Sequence, residues 1–284
     1  MRPPMRTNDV YELQPGEEIA SELLVRIGAE LELFAAVLAS VTPDASGEIA
    51  RFVGSGTLVK ANGSGYVLTA GHVWTAIDKS ARVAIHLGRN DIGVSFKKDL
   101  ISPTVLGSEP FDRQLWGPDL ALLRLPDHVR QQLELRGLKA FYDLDRHRET
   151  LSTDRTLPCH GAWVVVGCPA FASLVTEGAP LNLSGYALFG FGATHHEEGE
   201  FDYVDLRVNP PPDEGVPDSL KGMSGAGLWW TPLTKNAQSG QITWDGTRQL
   251  EGVAFREEFS PRRSIRCHWR RSVYALASDA VAGK

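Results

Sequence analysis

The stretch Tyr66-Val67-Leu68-Thr69-Ala70-Gly71-His72-Val73-Trp74 runs from an apolar, strand-like segment into two small residues, then sets a histidine before another apolar pair. A lone histidine beside apolar residues is ordinarily a satisfied core or surface group, so its meaning depends on what the rest of the chain places against it. Outward from here, beginning near Phe34, short apolar or alternating segments are separated by Gly, Pro, Asn, Asp and Ser: FAAVLASV, ARFVGSGTLV, GYVLTA, RVAIHL and DLALLRL. Such runs predict consecutive strands. A polar, helix-compatible stretch from Asp127 to Asp154 follows, and then a second set: AWVVVGCP, ALFGFGA, FDYVDLRV, GAGLWW, GQITW and LEGVAF. Ahead of everything, Ile19, Leu23, Leu24, Ile27 and Leu31 keep a helical spacing after Pro15-Gly16 and the acids Glu17 and Glu18, which predicts one amphipathic helix.

The expected fold is therefore all-β with an N-terminal helix. Residues 1–33 form an extension carrying the helix, 34–126 a first β unit, 127–154 a connector, and 155–284 a second β unit with a C-terminal segment. Two β-rich halves suggest two packed antiparallel barrels, because closure removes exposed strand edges.

The chain's 284 residues are enough to bury a core. Lys and Arg number 29 against 35 Asp and Glu, a net charge of -6, which gives no general attraction to nucleic acid or to an anionic membrane. The C-terminal run Arg262, Arg263, Arg266, His268, Arg270 and Arg271 alternates with Ile265, Cys267 and Trp269, the spacing of a strand with one solvated face. MRPPMRTNDV lacks the apolar core of a signal peptide, and no apolar run reaches the roughly 18 residues of a membrane span. A cytoplasmic protein is expected. Cys159, Cys168 and Cys267 fit neither a disulfide framework nor zinc-ligand spacing, so reduced thiols are expected. His195-His196-Glu197-Glu198 lies in the polar stretch THHEEGE, where neighbouring side chains do not converge on one ion. It reads as a solvated loop, and no metal or cofactor is expected.

Two further stretches bear on His72. In GPDLALLRL, Asp119 stands at the mouth of a run that is apolar on both strand faces. It is either a turn aspartate after Pro118 or a carboxylate that accepts a hydrogen bond from an imidazole and fixes its tautomer. In KGMSGAGL, Ser224 lies among three glycines directly before a strand. This is either a Gly-rich hairpin with an incidental serine, or a loop whose backbone N–H groups face one point, as stabilising an oxyanion requires.

The order His72, Asp119, Ser224 is that of the chymotrypsin arrangement. TAGHV resembles the histidine motif of chymotrypsin-like (trypsin-fold) serine proteases, PDLALLRL their aspartate motif, and GMSGAG their nucleophile motif. LEGVAF is similar to the strand that flanks the substrate, which implies contacts from Phe255 and Arg256. The resemblance covers roughly Phe34 to Val273. It implies two six-stranded β-barrels, with His72 and Asp119 from the first and Ser224 from the second. It also implies a serine endopeptidase in which His72 is the base, Asp119 orients it, and the N–H groups of Gly222 and Ser224 bind the oxyanion. The substrate would be a protein or peptide.

The sequence departs from the family at several points. Met223 stands where secreted members carry an acid that pairs with a freshly cut N-terminus, so maturation by that route is not expected. With no signal peptide or disulfide pattern, the chain resembles the intracellular, standalone trypsin-like proteases of bacteria, and no PDZ-sized segment follows. Such an enzyme is expected to be restrained by narrow specificity, low basal activity or a separately encoded regulator. Ala226 replaces the second glycine after the serine. Asp218, six residues before Ser224, holds the position that selects Arg or Lys in trypsin-like members, although Leu220 replaces the cysteine that tethers that pocket wall, and EGVPDSLKG also fits an exposed turn. The competing expectation is a catalytically silent homologue that grips an extended peptide by strand addition.

Overall fold

The computed structural model describes residues 19–44, 47–86, 93–106, 118–135, 139–151, 156–158, 161–170, 173–174, 182–183, 186–190, 192–208, 219–236, 239–259 and 263–282. The first half comprises α1 (Ser21–Glu32), β1 (Ala35–Asp44), β2 (Gly47–Ala61), β3 (Ser64–Thr69), α2 (Gly71–Asp78), β4 (Arg82–His86), β5 (Gly93–Lys97), β6 (Ser102–Leu106), β7 (Leu120–Arg124), α3 (Asp127–Leu135), β8 (Tyr142–Asp143) and α4 (Arg148–Leu151). The second comprises β9 (Gly161–Gly167), β10 (Ser173–Leu174), β11 (Asn182–Leu183), β12 (Tyr186–Gly190), β13 (Ala193–Glu198), β14 (Phe201–Arg207), β15 (Gly227–Pro232), β16 (Thr234–Lys235), β17 (Ile242–Thr243), β18 (Gln249–Glu258), β19 (Ser264–His268) and α5 (Arg270–Ala282).

Two large sheets result. One follows the order β5-β4-β1-β2-β3-β7-β6 with β8 paired to β2, and the other β12-β9-β15-β18-β19-β14-β13. All pairings are antiparallel except β2 with β8. The expected strands are present, but among the described residues the two sheets contain eight and seven strands and pair as open paths, not as two closed six-stranded barrels. The polar connector contributes β8 to the first sheet.

The alternation of each strand decides what lies between the layers. Val164 and Val166 of β9, Trp229 of β15 and Leu250 of β18 meet Phe34, Val59, Leu68, Leu120 and Leu122 from the first sheet in one core cluster. Trp229 is its hub, with ring centroids 5.1 Å from Phe34 and 5.3 Å from Tyr142. Helix α1 buries Ile27 and Leu31 in the same cluster, and a Cβ on Gly28 would stand 3.1 Å from that of Ala187, so the helix sits close on β12.

Two readings are corrected. THHEEGE is not a loop: it forms β13, turns at Gly199 (φ +58°) and pairs with β14. Alternation with FDYVDLR outweighs its polarity, and its charges suit the edge position. The arginine-rich run is not a solvated strand face: β19 ends at His268, which is fully buried, and Arg270 opens a helix at 2% exposure. Helix α5, not foreseen in the sequence, packs on β14 and β18 of one sheet and on β6 and β7 of the other. Cys168 and Cys267 are buried free thiols, and burial pushes Cys168 up to about 12; Cys159 and Arg262 lie outside the described residues. No helix among the described residues is long and apolar enough to cross a membrane.

Arg270 is buried because Glu251, wholly inaccessible on β18, takes its Nε at 2.6 Å and its Nη2 at 3.0 Å, while Trp269 Nε1 donates to the same carboxylate at 3.0 Å. This cluster ties α5 to the second sheet. Breaking one side of a buried ion pair leaves an uncompensated charge. Arg270→Met is expected to cost about 3–5 kcal/mol in chemical denaturation, and the double change Glu251→Leu with Arg270→Met to recover much of that loss.

Candidate active site

His72 enters the site on α2, a helix that sequence pattern alone did not disclose. Val73, Trp74 and Ile77 are buried on the helix's inner side, which turns the intervening His72 outward with its side chain 52% exposed. Asp119 lies immediately before β7 and is 6% exposed. Its Oδ1 accepts the His72 backbone N–H at 2.8 Å, and its Oδ2 stands 2.6 Å from His72 Nδ1. A carboxylate so placed fixes the proton on Nδ1 and leaves the lone pair of Nε2 pointing away. The carboxylate is therefore a partner of the imidazole, and the plain turn reading of Asp119 falls away.

Ser224 arrives from the second sheet on the loop before β15. That loop is bent by Gly222 (φ +96°) and Gly225 (φ +90°), conformations that side chains oppose. A Cβ on Gly225 would overlap Ser55 O and Thr69 Oγ1, so the loop lies directly on β2 and β3. Ala226 needs no such freedom: its φ is ordinary, its N–H donates to Met223 O at 2.8 Å, and its methyl faces Gly167, where any Cβ would stand 2.6 Å away.

The N–H groups of this loop are committed one by one. Leu220 donates to Glu257 Oε2, Lys221 to Ser219 Oγ, Met223 to Leu220 O, Gly225 to Ala254 O and Ala226 to Met223 O. Among the described residues, the N–H groups of Gly222 and Ser224 donate to none. They are the two nominated from sequence for an oxyanion. The Ser224 hydroxyl donates to Phe255 O at 3.4 Å, and no hydrogen bond joins it to His72 among the described residues. Helix α2 and the Ser224 loop both close on β2 at Gly54, where a Cβ would lie 2.8 Å from the side chain of Val73 and 3.2 Å from Ser224 O.

A cavity of about 270 Å³ opens beside Ser224, walled by Leu220, Met223, Ala254, Phe255 and Ile265. Ser219, Lys221, Arg256 and Glu257 also line it. Arg256 Nε pairs with Glu258 at 2.7 Å, and Glu257 is occupied by Arg263 at 2.6 Å as well as by the Leu220 N–H. Phe255 and Arg256 thus line the cavity beside Ser224, while Asp218 lies outside the described residues. No group of three or more His, Cys, Asp or Glu that could hold a metal occurs among the described residues.

One residue of the site was missed. His268 reaches from β19 to accept the Asp119 backbone N–H at its Nε2, 2.9 Å away. Its place in the alternating run Ile265, Cys267, Trp269 fixed two strand faces but not which one was buried.

No protein-family model matches the chain, and no curated protein matches it. Solved structures to which it is similar include the active form of the Rv3671c protease from M. tuberculosis (17% identity over 98% of this chain and 92% of that one, TM-score 0.47). The HtrA-type protease AlgW with a decapeptide shares 14% identity over 93% and 68%, with TM-score 0.45. The thermostable serine protease AL20 from an extremophilic microorganism shares 13% over 90% and 100%, with TM-score 0.46. All three are proteases, AL20 a serine protease; at such scores the likenesses carry no weight beside the geometry.

Burial lowers His268 from its ordinary value of 6.5 to about 4, against the opposing pull of the Asp119 charge. Between those two values the unfolded chain takes up a proton that the folded chain refuses, so acidification through this window removes stability, about 3 kcal/mol for this group. Above it the contribution is complete, and below it no further loss follows. Denaturant unfolding of the native protein and His268→Gln between pH 7 and pH 4 is expected to show the native protein losing more stability on acidification. A difference between the two that stays constant with pH would mean that His268 is not held neutral in the folded state.

Proposed function

We propose that the chain is a serine endopeptidase that works through Ser224, His72 and Asp119. The observation that carries this reading is that, along residues 220–226, the only backbone N–H groups without an acceptor among the described residues are those of Gly222 and Ser224. Two alternate donors on either side of Met223, one of them the serine's own, are what an oxyanion site needs.

In the proposed reaction, the Ser224 hydroxyl rotates from the Phe255 carbonyl toward His72 Nε2. Oγ attacks the substrate's carbonyl carbon as its proton passes to that nitrogen, and the carbonyl oxygen becomes an oxyanion held by the Gly222 and Ser224 N–H groups. The protonated imidazole, stabilised by Asp119, then gives its proton to the departing amine. Water, deprotonated by the same nitrogen, releases the acyl group and restores Ser224. We read the two sheets as the two β units of the family resemblance, with the site where they meet.

The cavity beside Ser224 supports an apolar side chain at the cleaved residue. Half of its lining residues are apolar, Lys221 and Arg256 add cations, and its one acid among the described residues, Glu257, is already neutralised by Arg263. A cationic side chain would find no unpaired partner there. Asp218 gives the opposite expectation, cleavage after Arg or Lys.

A fluorophosphonate probe is expected to label the native protein and not Ser224→Ala, and Asp119→Asn to reduce turnover by about four orders of magnitude. A folded native protein that stays unlabelled would favour the silent peptide-binding homologue. Peptides with Leu, Ala, Arg or Lys at the cleaved position separate the two specificities: preference for Leu or Ala supports the apolar pocket. Preference for Arg or Lys that disappears in Asp218→Ser would assign the pocket to Asp218 and leave the assignments of Ser224, His72 and Asp119 untouched.

A further inference from the structure

Asp119 is held on two sides by different sheets. Its carboxylate faces His72, within the first sheet's territory, with both oxygens engaged. Its backbone lies one residue before the ladder, whose last rungs are Leu106 with Leu120 on one side and Thr69 with Ala121 on the other. No strand neighbour accepts the Asp119 N–H; the acceptor is a side chain from the second sheet, Nε2 of His268 at 2.9 Å. The same imidazole packs on Phe255 at 4.5 Å between centroids and on Tyr203 at 5.0 Å, and Phe255 supplies the carbonyl that receives the Ser224 hydroxyl.

We propose that His268 is a positioning residue for the reaction, its Nε2 holding the backbone of Asp119 from the second sheet so that the carboxylate meets His72 in register with the Ser224 loop. This rests on the proposed endopeptidase function.

Two features fit this role better than simple packing. To accept an N–H, His268 must be the neutral tautomer with its proton on Nδ1, and that atom is buried with no hydrogen-bond partner among the described residues. A buried donor without an acceptor costs about 1–3 kcal/mol. A phenyl ring would fill the space among Phe255, Tyr203 and Phe201 without that cost, but it would leave Asp119 without its acceptor. Desolvation also keeps the ring neutral and its Nε2 lone pair available at ordinary pH.

The test compares the native protein, His268→Phe and His268→Gln. Phenylalanine keeps the ring volume and removes the acceptor; glutamine carries its amide oxygen to about the reach of Nε2. His268→Phe is expected to fold, to lose about 10- to 100-fold in kcat with KM little changed, and to shift or broaden the low-field proton resonance of the His72 Nδ1–H. His268→Gln is expected to recover most of the turnover and the resonance. Native-like turnover and resonance in His268→Phe would overturn the proposal, as would equal losses in both variants. If His268→Phe does not fold, 15N-histidine spectra of the native protein decide the matter: the Nδ1–H tautomer of His268 at neutral pH is expected, and the Nε2–H tautomer, which cannot accept, would overturn it. Absence of Ser224-dependent turnover in the native protein would instead overturn the endopeptidase reading, while the His72 resonance in the variants still reports on His268.

Discussion

The meeting of the two sheets depends on one buried serine. Ser55, on β2 and wholly inaccessible, donates its backbone N–H to Ser224 O at 2.9 Å and its hydroxyl to Gly222 O at 2.8 Å, and its Oγ accepts the Cys168 N–H at 2.8 Å. Its own carbonyl takes the Thr69 hydroxyl at 2.7 Å. One residue of the first sheet thus fixes the carbonyls on both sides of Met223, and with them the peptide planes that carry the Met223 and Gly225 N–H groups, both of which donate within the fold. Groups this buried forfeit water, so each unmade bond would carry the cost of desolvation. The loop has few other conformations in which all of them are satisfied.

His268 complements Ser55 from the opposite direction. Ser55 reaches from the first sheet to hold the loop of the second; His268 reaches from the second to hold Asp119 of the first. The facing halves of the site are cross-braced by hydrogen bonds to backbone, whose geometry is less adjustable than that of two long side chains meeting in solvent. Of Ser224, His72 and Asp119, His72 stands furthest into solvent, which suits the role proposed for it as base.

Much of this was legible in the sequence because strands announce themselves by alternation and the residues of the site by their order. FAAVLASV, DLALLRL and AWVVVGCP became β1, β7 and β9 because their apolar content leaves no other way to bury them. Asp119 was legible because a carboxylate at the mouth of a run buried on both faces needs a partner. The misreadings share a cause. Period-two patterns define two faces without saying that both can be buried, so the basic face of the 262–271 run was assigned outward although His268 and Arg270 are buried along with Cys267 and Trp269. Polarity suggested a loop at THHEEGE, where the pairing offered by FDYVDLR decides otherwise. Ser55 carried no local signal at all, since its importance lies in partners 113 and 167 residues away.

Met223 shows how the loop is supported without a charge. An acidic residue at this position would need a cation beside it to be buried. Methionine instead is 2% exposed in a cluster with Val165, Ala226, Leu228, Ala254 and Ile265. Around it, Leu220 O accepts the Met223 N–H, Lys221 O accepts the Ala170 N–H at 2.6 Å, and Glu257, balanced by Arg263, accepts the Leu220 N–H. Each support belongs to the folded chain as it stands, and none calls on a terminus created by cleavage. Among the described residues the loop around Ser224 is held by apolar burial and internal hydrogen bonds, with Met223 filling by packing a position where a carboxylate would require a buried counter-charge.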